Sequence, residues 1–274
     1  MTVLDLRAEI ARWPVGSAAV AVLGVDGVLD RAATGADGQV YPWASVTKIL
    51  TALTVLDACA DGTVELDSPA GPVGSTVRHL LGHASGLPFD GPEPAAAPGS
   101  RRIYSNTGYE VLADHLADAA GGPFRDELTG RVLDRLGMTG TVLDGSPARD
   151  GAGPLEDLVV LAWELLAPRV LGPEIVGPAT TLVFPGLSGV LPGFGRQVHN
   201  DWGLGCEIRA DKSPHWTSPD NSPRTFGHFG QSGSFVWVDP DARLACIGLC
   251  DTPFGPWAAQ AWPELSTAVL RAFS

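Results

Sequence analysis

A chain of 274 residues, 45% hydrophobic and only 18% charged, can bury one large core or two subdomains around a cleft, and is too apolar for long disordered stretches. Its formal net charge of -13 repels nucleic acid and anionic membrane surfaces, which excludes both as partners and predicts a substrate captured without a basic surface. Cys59, Cys206, Cys246 and Cys250 form no C-x-x-C pair, so free buried thiols in a reducing compartment are expected, not a zinc ribbon or redox motif.

The start, Met1 to Glu9, meets an acid early and has no apolar run behind a basic end. That predicts no secretory signal and a cytoplasmic location. The apolar run over 18–25 is too short to span a bilayer. In chain order, the spacing predicts a short amphipathic helix over 4–13 and strands over 17–25 and 28–34 joined by Asp26-Gly27. A helix over 49–60 ends before Asp61-Gly62, and 77–81 reads as a helical turn. Residues 91–99, rich in Pro, Ala and Gly, form a loop. Helical patterns return over 108–120, 124–136 and 155–166, and 185–195 is another loop. Strands over 203–210, 234–238 and 244–250 precede a helix over 257–273. With strands at both ends and helices between, the economical fold is α+β: one antiparallel sheet from both termini, flanked by helices, with a helical region inserted. The expected division is an α/β part over approximately 1–45 and 200–274 and a helical part over approximately 46–199.

Three short segments carry chemistry. Ser45-Val46-Thr47-Lys48 opens the helix after Pro42-Trp43-Ala44. Residues i and i+3 on a helix share a face, so the lysine amine can reach the serine hydroxyl. A helix start also offers free backbone N–H groups and a positive dipole end. An N-cap serine beside a solvated lysine shows the same spacing. Yet the chain has only two lysines, Lys48 and Lys212, and Lys48 lies among Trp43, Val46, Ile49 and Leu50. Burial there lowers an amine's pKa toward that of a general base, which arginine cannot match. Tyr104-Ser105-Asn106 supplies a phenol, a weak base at its ordinary pKa of about 10 that a cationic lysine makes usable. It also supplies an amide for an acyl group or for Lys48. In Gly227-His228-Phe229-Gly230-Gln231-Ser232-Gly233, the glycines allow a strand backbone close to a ligand, where an N–H meets a developing oxyanion.

In this order and spacing, Ser45-Val46-Thr47-Lys48, Tyr104-Ser105-Asn106 and His228-Phe229-Gly230 resemble the S-x-x-K, Y-[AS]-N and [KHW]-x-G motifs of the serine β-lactamase and penicillin-binding-protein superfamily. The match is to its class C β-lactamase, D-Ala-D-Ala carboxypeptidase and family VIII esterase branch. The stretch from Val77 to Leu87, Pro98-Gly99 and Leu136-Gly137-Met138 extend the resemblance along most of the chain. It implies a β-lactamase/DD-peptidase-like fold and an acyl-enzyme mechanism without cofactor or metal. Ser45 is the implied nucleophile, Lys48 polarises it, and Tyr104 protonates the leaving group and activates water. Asn106 holds the acyl side chain and His228 tunes Tyr104, with Phe229 and Gly230 on the substrate side. The backbone N–H groups of Ser45 and Gln231 form the oxyanion hole.

The chain departs from the pattern at Phe229, where carboxylate-binding enzymes carry threonine or serine, and at His228 in place of lysine. Both reduce affinity for an anionic leaving group. An ester or uncharged amide is therefore expected ahead of a D-Ala-D-Ala peptide or a β-lactam. Transfer to an alcohol instead of water uses the same residues. A non-catalytic binding module would need broken acylation machinery, whereas all three side chains are present. Trp43, Trp202, Trp216 and Phe229 are candidates for an aromatic wall. His79 and His83 lack the glutamate of a zinc-protease motif, so packing or a backbone hydrogen bond is expected. No G-x-S-x-G elbow occurs. Arg101-Arg102 reads as a solvated pair.

Overall fold

The computed structural model describes residues 4–274. Met1 to Val3, and with them part of the segment read for a signal, lie outside the described residues. The centre is a six-stranded antiparallel sheet in the order Gly27–Ala33, Ala18–Gly24, Leu244–Cys250, Ser234–Asp239, Phe226–Gly230, Glu207–Ile208. The first strand of the chain thus pairs with the last, from Ala18 opposite Cys250 to Gly24 opposite Leu244. Both are buried throughout or nearly so, because the sheet is covered on both faces. Period-two alternation splits their side chains between two cores. Ala19, Ala21, Leu23, Ala245, Ile247 and Leu249 face one core. Ala18, Val20, Val22, Cys246 and Cys250 face the other, shared with the C-terminal helix Pro256–Phe273. All four cysteines are free.

Several elements differ from the sequence reading. The first hairpin turns on Val25-Asp26, flanked by paired Gly24 and Gly27, and a bulge after Val22 shifts the register. Gly27, at φ +145, starts the second strand with a conformation glycine alone adopts readily. The expected helix over 124–136 is Phe124–Leu128, a wide turn Thr129–Leu133 and Asp134–Leu136. The turn carries Arg131 onto Asp57 at 2.9 Å and Asp61 at 2.7 Å. The expected strand over 203–210 shrinks to Glu207–Ile208. Gly203 lies so close to the Ala179 carbonyl that a Cβ would collide with it, and Gly205 has φ +137. The loop over 185–195 contains most of a ribbon of Gly189–Leu191 with Gly195–Gln197. A helix Pro173–Thr180 was masked by its own Pro and Gly. A small sheet of Tyr41–Pro42, Gly151–Gly153 and Val142–Leu143 is a further element that the sequence reading lacked.

The division into an α/β part over 1–45 and 200–274 and a helical part over 46–199 is an organisational proposal. Helix Leu155–Leu166, within the second range, packs on the strands Ala18–Gly24, Ser234–Asp239 and Leu244–Cys250. No helix among the described residues is long and apolar enough to cross a membrane.

Candidate active site

The site lies where the start of helix Thr47–Ala60 meets strand Phe226–Gly230. A 3₁₀ turn, Ala44–Val46, leads into the helix. Ala44 is left-handed, with φ 43, an unfavourable state for a residue with a Cβ. Trp43 N–H donates to Gly151 O at 2.8 Å, and the Trp43 carbonyl accepts from Ser234 Oγ at 2.7 Å. These bonds help to hold the strained turn that carries Ser45. Gly230 explains the motif's last position: a Cβ there would collide with Trp43 O.

Lys48 is fully buried one turn beyond Ser45. Its Nζ lies 3.4 Å from Ser45 Oγ, 2.7 Å from Asn106 Oδ1 and 2.8 Å from the Ala148 carbonyl. Ala148 is delivered by a segment pinned to helix Thr47–Ala60: Thr51 Oγ1 donates to Pro147 O at 2.6 Å, and Gly151 N–H to Thr47 Oγ1 at 3.0 Å. Burial, aided by Arg149, drives the lysine pKa well below its ordinary value against weaker opposition from Asp90 and Glu110. A neutral amine has two hydrogens and one lone pair. In that form, hydrogens placed on Asn106 and Ala148 would leave the lone pair for the serine hydroxyl.

Tyr104 lies against this amine, with Nζ 4.7 Å from its ring centroid. Its hydroxyl is 3.4 Å from His228 Nε2. Burial raises the phenol's pKa, opposed by an interaction with the Ser45 hydroxyl. Burial thus opposes charge on both groups, and so weighs against the expectation of a phenol made a usable base by a cationic lysine. His228 Nδ1–H donates to Phe229 O at 2.8 Å. Its Nε2 is then an acceptor, and Tyr104 is the donor in their contact.

Ser105 caps helix Asn106–Ala120, accepting from Gly108 N–H at 2.8 Å. Asn106 stands at the helix start and also meets Lys48, so structural and site roles coincide. Its Nδ2 donates to Asp90 Oδ1 at 3.2 Å. Gln231 follows the edge of strand Phe226–Gly230 and is tied to Phe254 through both its side-chain amide (3.0 Å) and its carbonyl (2.9 Å).

A cavity of about 120 Å³ adjoins Ser45, with walls that include Phe89, Leu191, Trp202, Trp216 and Phe229. Trp43, expected in the wall, is fully buried beneath the site with its Nε1–H on Gly153 O at 3.2 Å. Phe89, Leu191 and Asp90 had no signal in the sequence, nor did Glu207. The Glu207 carboxylate, also at the cavity, meets Lys212 at 2.5 Å, His215 at 3.0 Å and Trp216 Nε1–H at 3.0 Å. Burial pushes its pKa up, but His215 and Lys212 outweigh this and hold it below the usual carboxylate range.

His83 is buried beside Tyr104, 4.6 Å between ring centroids, and its Nδ1 accepts from Ser105 N–H at 3.2 Å. This is the backbone bond expected of it. Arg102, read as solvated, is buried. It donates to the carbonyls of Asn200 (3.0 Å), Val183 (2.8 Å), Phe184 (3.2 Å) and Gly82. Only a guanidinium offers enough donors for that clamp.

Burial lowers the His228 pKa to about 3, with Lys48 adding to the effect. The folded protein keeps this ring neutral at pH values where the unfolded chain, near pKa 6.5, binds a proton. Stability is therefore complete above about pH 6.5 and is lost as pH falls from there toward 3. The slope is about 1.4 kcal/mol per pH unit for such a group. Thermal midpoints recorded from pH 7 to 4 are expected to fall less steeply in His228→Gln than in the native chain. Parallel curves would remove His228 from this dependence.

The Beta-lactamase family profile matches residues 12–270. A solved structure of a beta-lactamase (Mb2281c) from Mycobacterium bovis is 50% identical, with a TM-score of 0.93, over 97% of this chain and 99% of that one. EstCE1, a hydrolase with promiscuous acyltransferase activity, shares the fold at 17% identity and a TM-score of 0.77, over 96% of both chains. The D-alanyl-D-alanine-carboxypeptidase/endopeptidase AmpH of Escherichia coli (strain K12) is 30% identical over 141 residues. That match takes in 38% of this chain and only 37% of AmpH. With a profile spanning nearly its whole length and the α+β fold of the β-lactamase and penicillin-binding proteins, the chain belongs to the Beta-lactamase family.

Proposed function

We propose that the chain is a serine hydrolase that cleaves an ester or uncharged amide through an acyl-enzyme on Ser45. The observation that carries the reading is the setting of Lys48: its buried Nζ meets Asn106 Oδ1, the Ala148 carbonyl and Ser45 Oγ, so that in the neutral form two hydrogens on Asn106 and Ala148 would leave the lone pair for Ser45. Ser45 Oγ attacks the carbonyl carbon while its proton passes to Lys48. The backbone N–H groups of Ser45 and Gln231 receive the developing oxyanion. Tyr104 gives its proton to the leaving oxygen or nitrogen, His228 holds the phenol in place, and Lys48 returns the proton to Tyr104. Water then reverses the sequence and frees Ser45. Asn106 keeps Lys48 oriented and faces the acyl group. Gly230 lets the strand approach.

The choice of an ester rests on Phe229, which sets a phenyl ring against the cavity. The nearby hydroxyls of Ser232 and Ser234 donate to the Pro42 and Trp43 carbonyls, at 2.6 and 2.7 Å. The four free cysteines suit a reducing, cytoplasmic setting. A second reading, a β-lactam or D-Ala-terminated peptide as substrate, is favoured by the 50% identity to a protein named a beta-lactamase. A chromogenic ester assayed beside a chromogenic cephalosporin separates the two. Turnover of the ester with little or none of the cephalosporin is expected; rapid cephalosporin hydrolysis without ester hydrolysis would reverse the order.

A further inference from the structure

A second cleft opens beside the catalytic cavity, and Phe89, Tyr104 and Pro192 belong to the walls of both. Its volume is about 500 Å³, within the range of small-molecule sites. The wall includes Arg101, Arg102 and Arg196 and no carboxylate. That composition stands out in a chain with 31 acidic against 18 basic residues.

Arg102 is spent on its four backbone carbonyls. Arg101 and Arg196 are both exposed. Arg101 donates one bond, to Ala95 O at 2.9 Å. Neither makes an ion pair among the described residues, whereas Arg78, Arg131 and Arg224 each hold a carboxylate. The segments that carry them are knitted together. Arg102 N–H donates to Ser188 O at 2.9 Å, Arg102 bridges to Gly189, Gly189 pairs with Gln197, and Val190 with Arg196. The outer segments therefore lie two strand spacings apart, about 10 Å. Two guanidinium groups are thus presented from a braced ribbon.

The geometry points to an anion-binding subsite at Arg101 and Arg196 for the alcohol portion of the substrate, taking an ester whose leaving group carries a carboxylate or phosphate. This deepens the proposed function and rests on it at one point, the role of Tyr104 as proton donor to the leaving group. Whatever occupies the cleft adjoins that phenol. It also revises the expectation that no basic surface is needed. The net charge repels anions at a distance, but within a Debye length the local arginines decide. Phe229 removes one means of holding an anion beside Ser45, and the arginine cleft supplies another beyond Tyr104.

Three acetyl esters test it: phenyl acetate, 3-acetoxybenzoate and 3-acetoxyphenyl phosphate. The ratio of kcat/KM for a charged over the neutral ester is expected to fall by about tenfold or more in Arg101→Gln/Arg196→Gln, and to fall with added salt in the native protein. An unchanged ratio for both charged esters overturns the subsite. Ser45→Ala is then titrated with 3-hydroxybenzoate and with 3-hydroxyphenyl phosphate. Saturable binding of either, lost when both arginines are also replaced, supports the subsite even if no ester is hydrolysed, in which case the hydrolase reading alone fails. The anion that binds names the group. No binding of either alcohol, with brisk phenyl acetate hydrolysis, removes the subsite and leaves the ester hydrolase standing.

Discussion

Ser45→Ala is expected to abolish the acyl adduct and reduce ester turnover by on the order of 10⁴–10⁶. Lys48→Met is expected to come close to the same loss, and the double substitution to add little, because the amine serves the same proton transfer as the hydroxyl 3.4 Å away. Lys48 is also a buried donor to Asn106 and Ala148. Its removal leaves two acceptors unpaired, at about 1–3 kcal/mol each. The comparison therefore needs circular dichroism to show that the variant is folded. Intact mass after exposure to a fluorophosphonate and to a slow ester reads the adduct directly. A folded Lys48→Met that acylates at nearly the native rate would strike the lysine from the mechanism.

Tyr104→Phe is expected to slow hydrolysis by about 10²–10⁴. The phenyl ring keeps its packing on His83 and Trp202, at 4.6 and 5.7 Å between centroids, so the loss isolates the hydroxyl. If that hydroxyl protonates the leaving group, the deficit depends on the alcohol. A p-nitrophenyl ester leaves readily as its anion and loses least during acylation; an alkyl ester needs the proton and loses most. Equal single-turnover deficits across the series would assign the phenol to another step.

The chemistry was legible in the sequence wherever the geometry is local. Ser45 and Lys48 stand one helical turn apart, so their spacing alone sets one side chain over the other. The short apolar runs of Ala18–Gly24, with Asp26-Gly27 just behind it, and of Leu244–Cys250 marked both as sheet strands, and the apolar periodicity of Leu155–Leu166 marked that helix to its ends. What remained hidden depends on loops and on backbone atoms. The Ala148 carbonyl holds Lys48 as closely as Asn106 does, but a carbonyl has no residue type to read. The burial of Arg102 depends on carbonyls contributed by Gly82, Val183, Phe184 and Asn200, distant in the chain and alike only once folded. Pro173–Thr180 carries the residues that punctuate loops, yet proline at a helix start costs no hydrogen bond. Trp43 misled because tryptophan suits a buried core as well as a ligand wall.

The sheet places its last-made strand between two others, one of them among the first made. During synthesis, Ser45 and Lys48 leave the ribosome long before His228 and Gln231, and the slot for Leu244–Cys250 stays empty until that strand is made. A nascent chain of that length therefore carries Ser45 and Lys48 without the strand Phe226–Gly230 that faces them in the fold. Such non-local pairing also slows folding, so the edge of Ala18–Gly24 stays open until Leu244–Cys250 has been made.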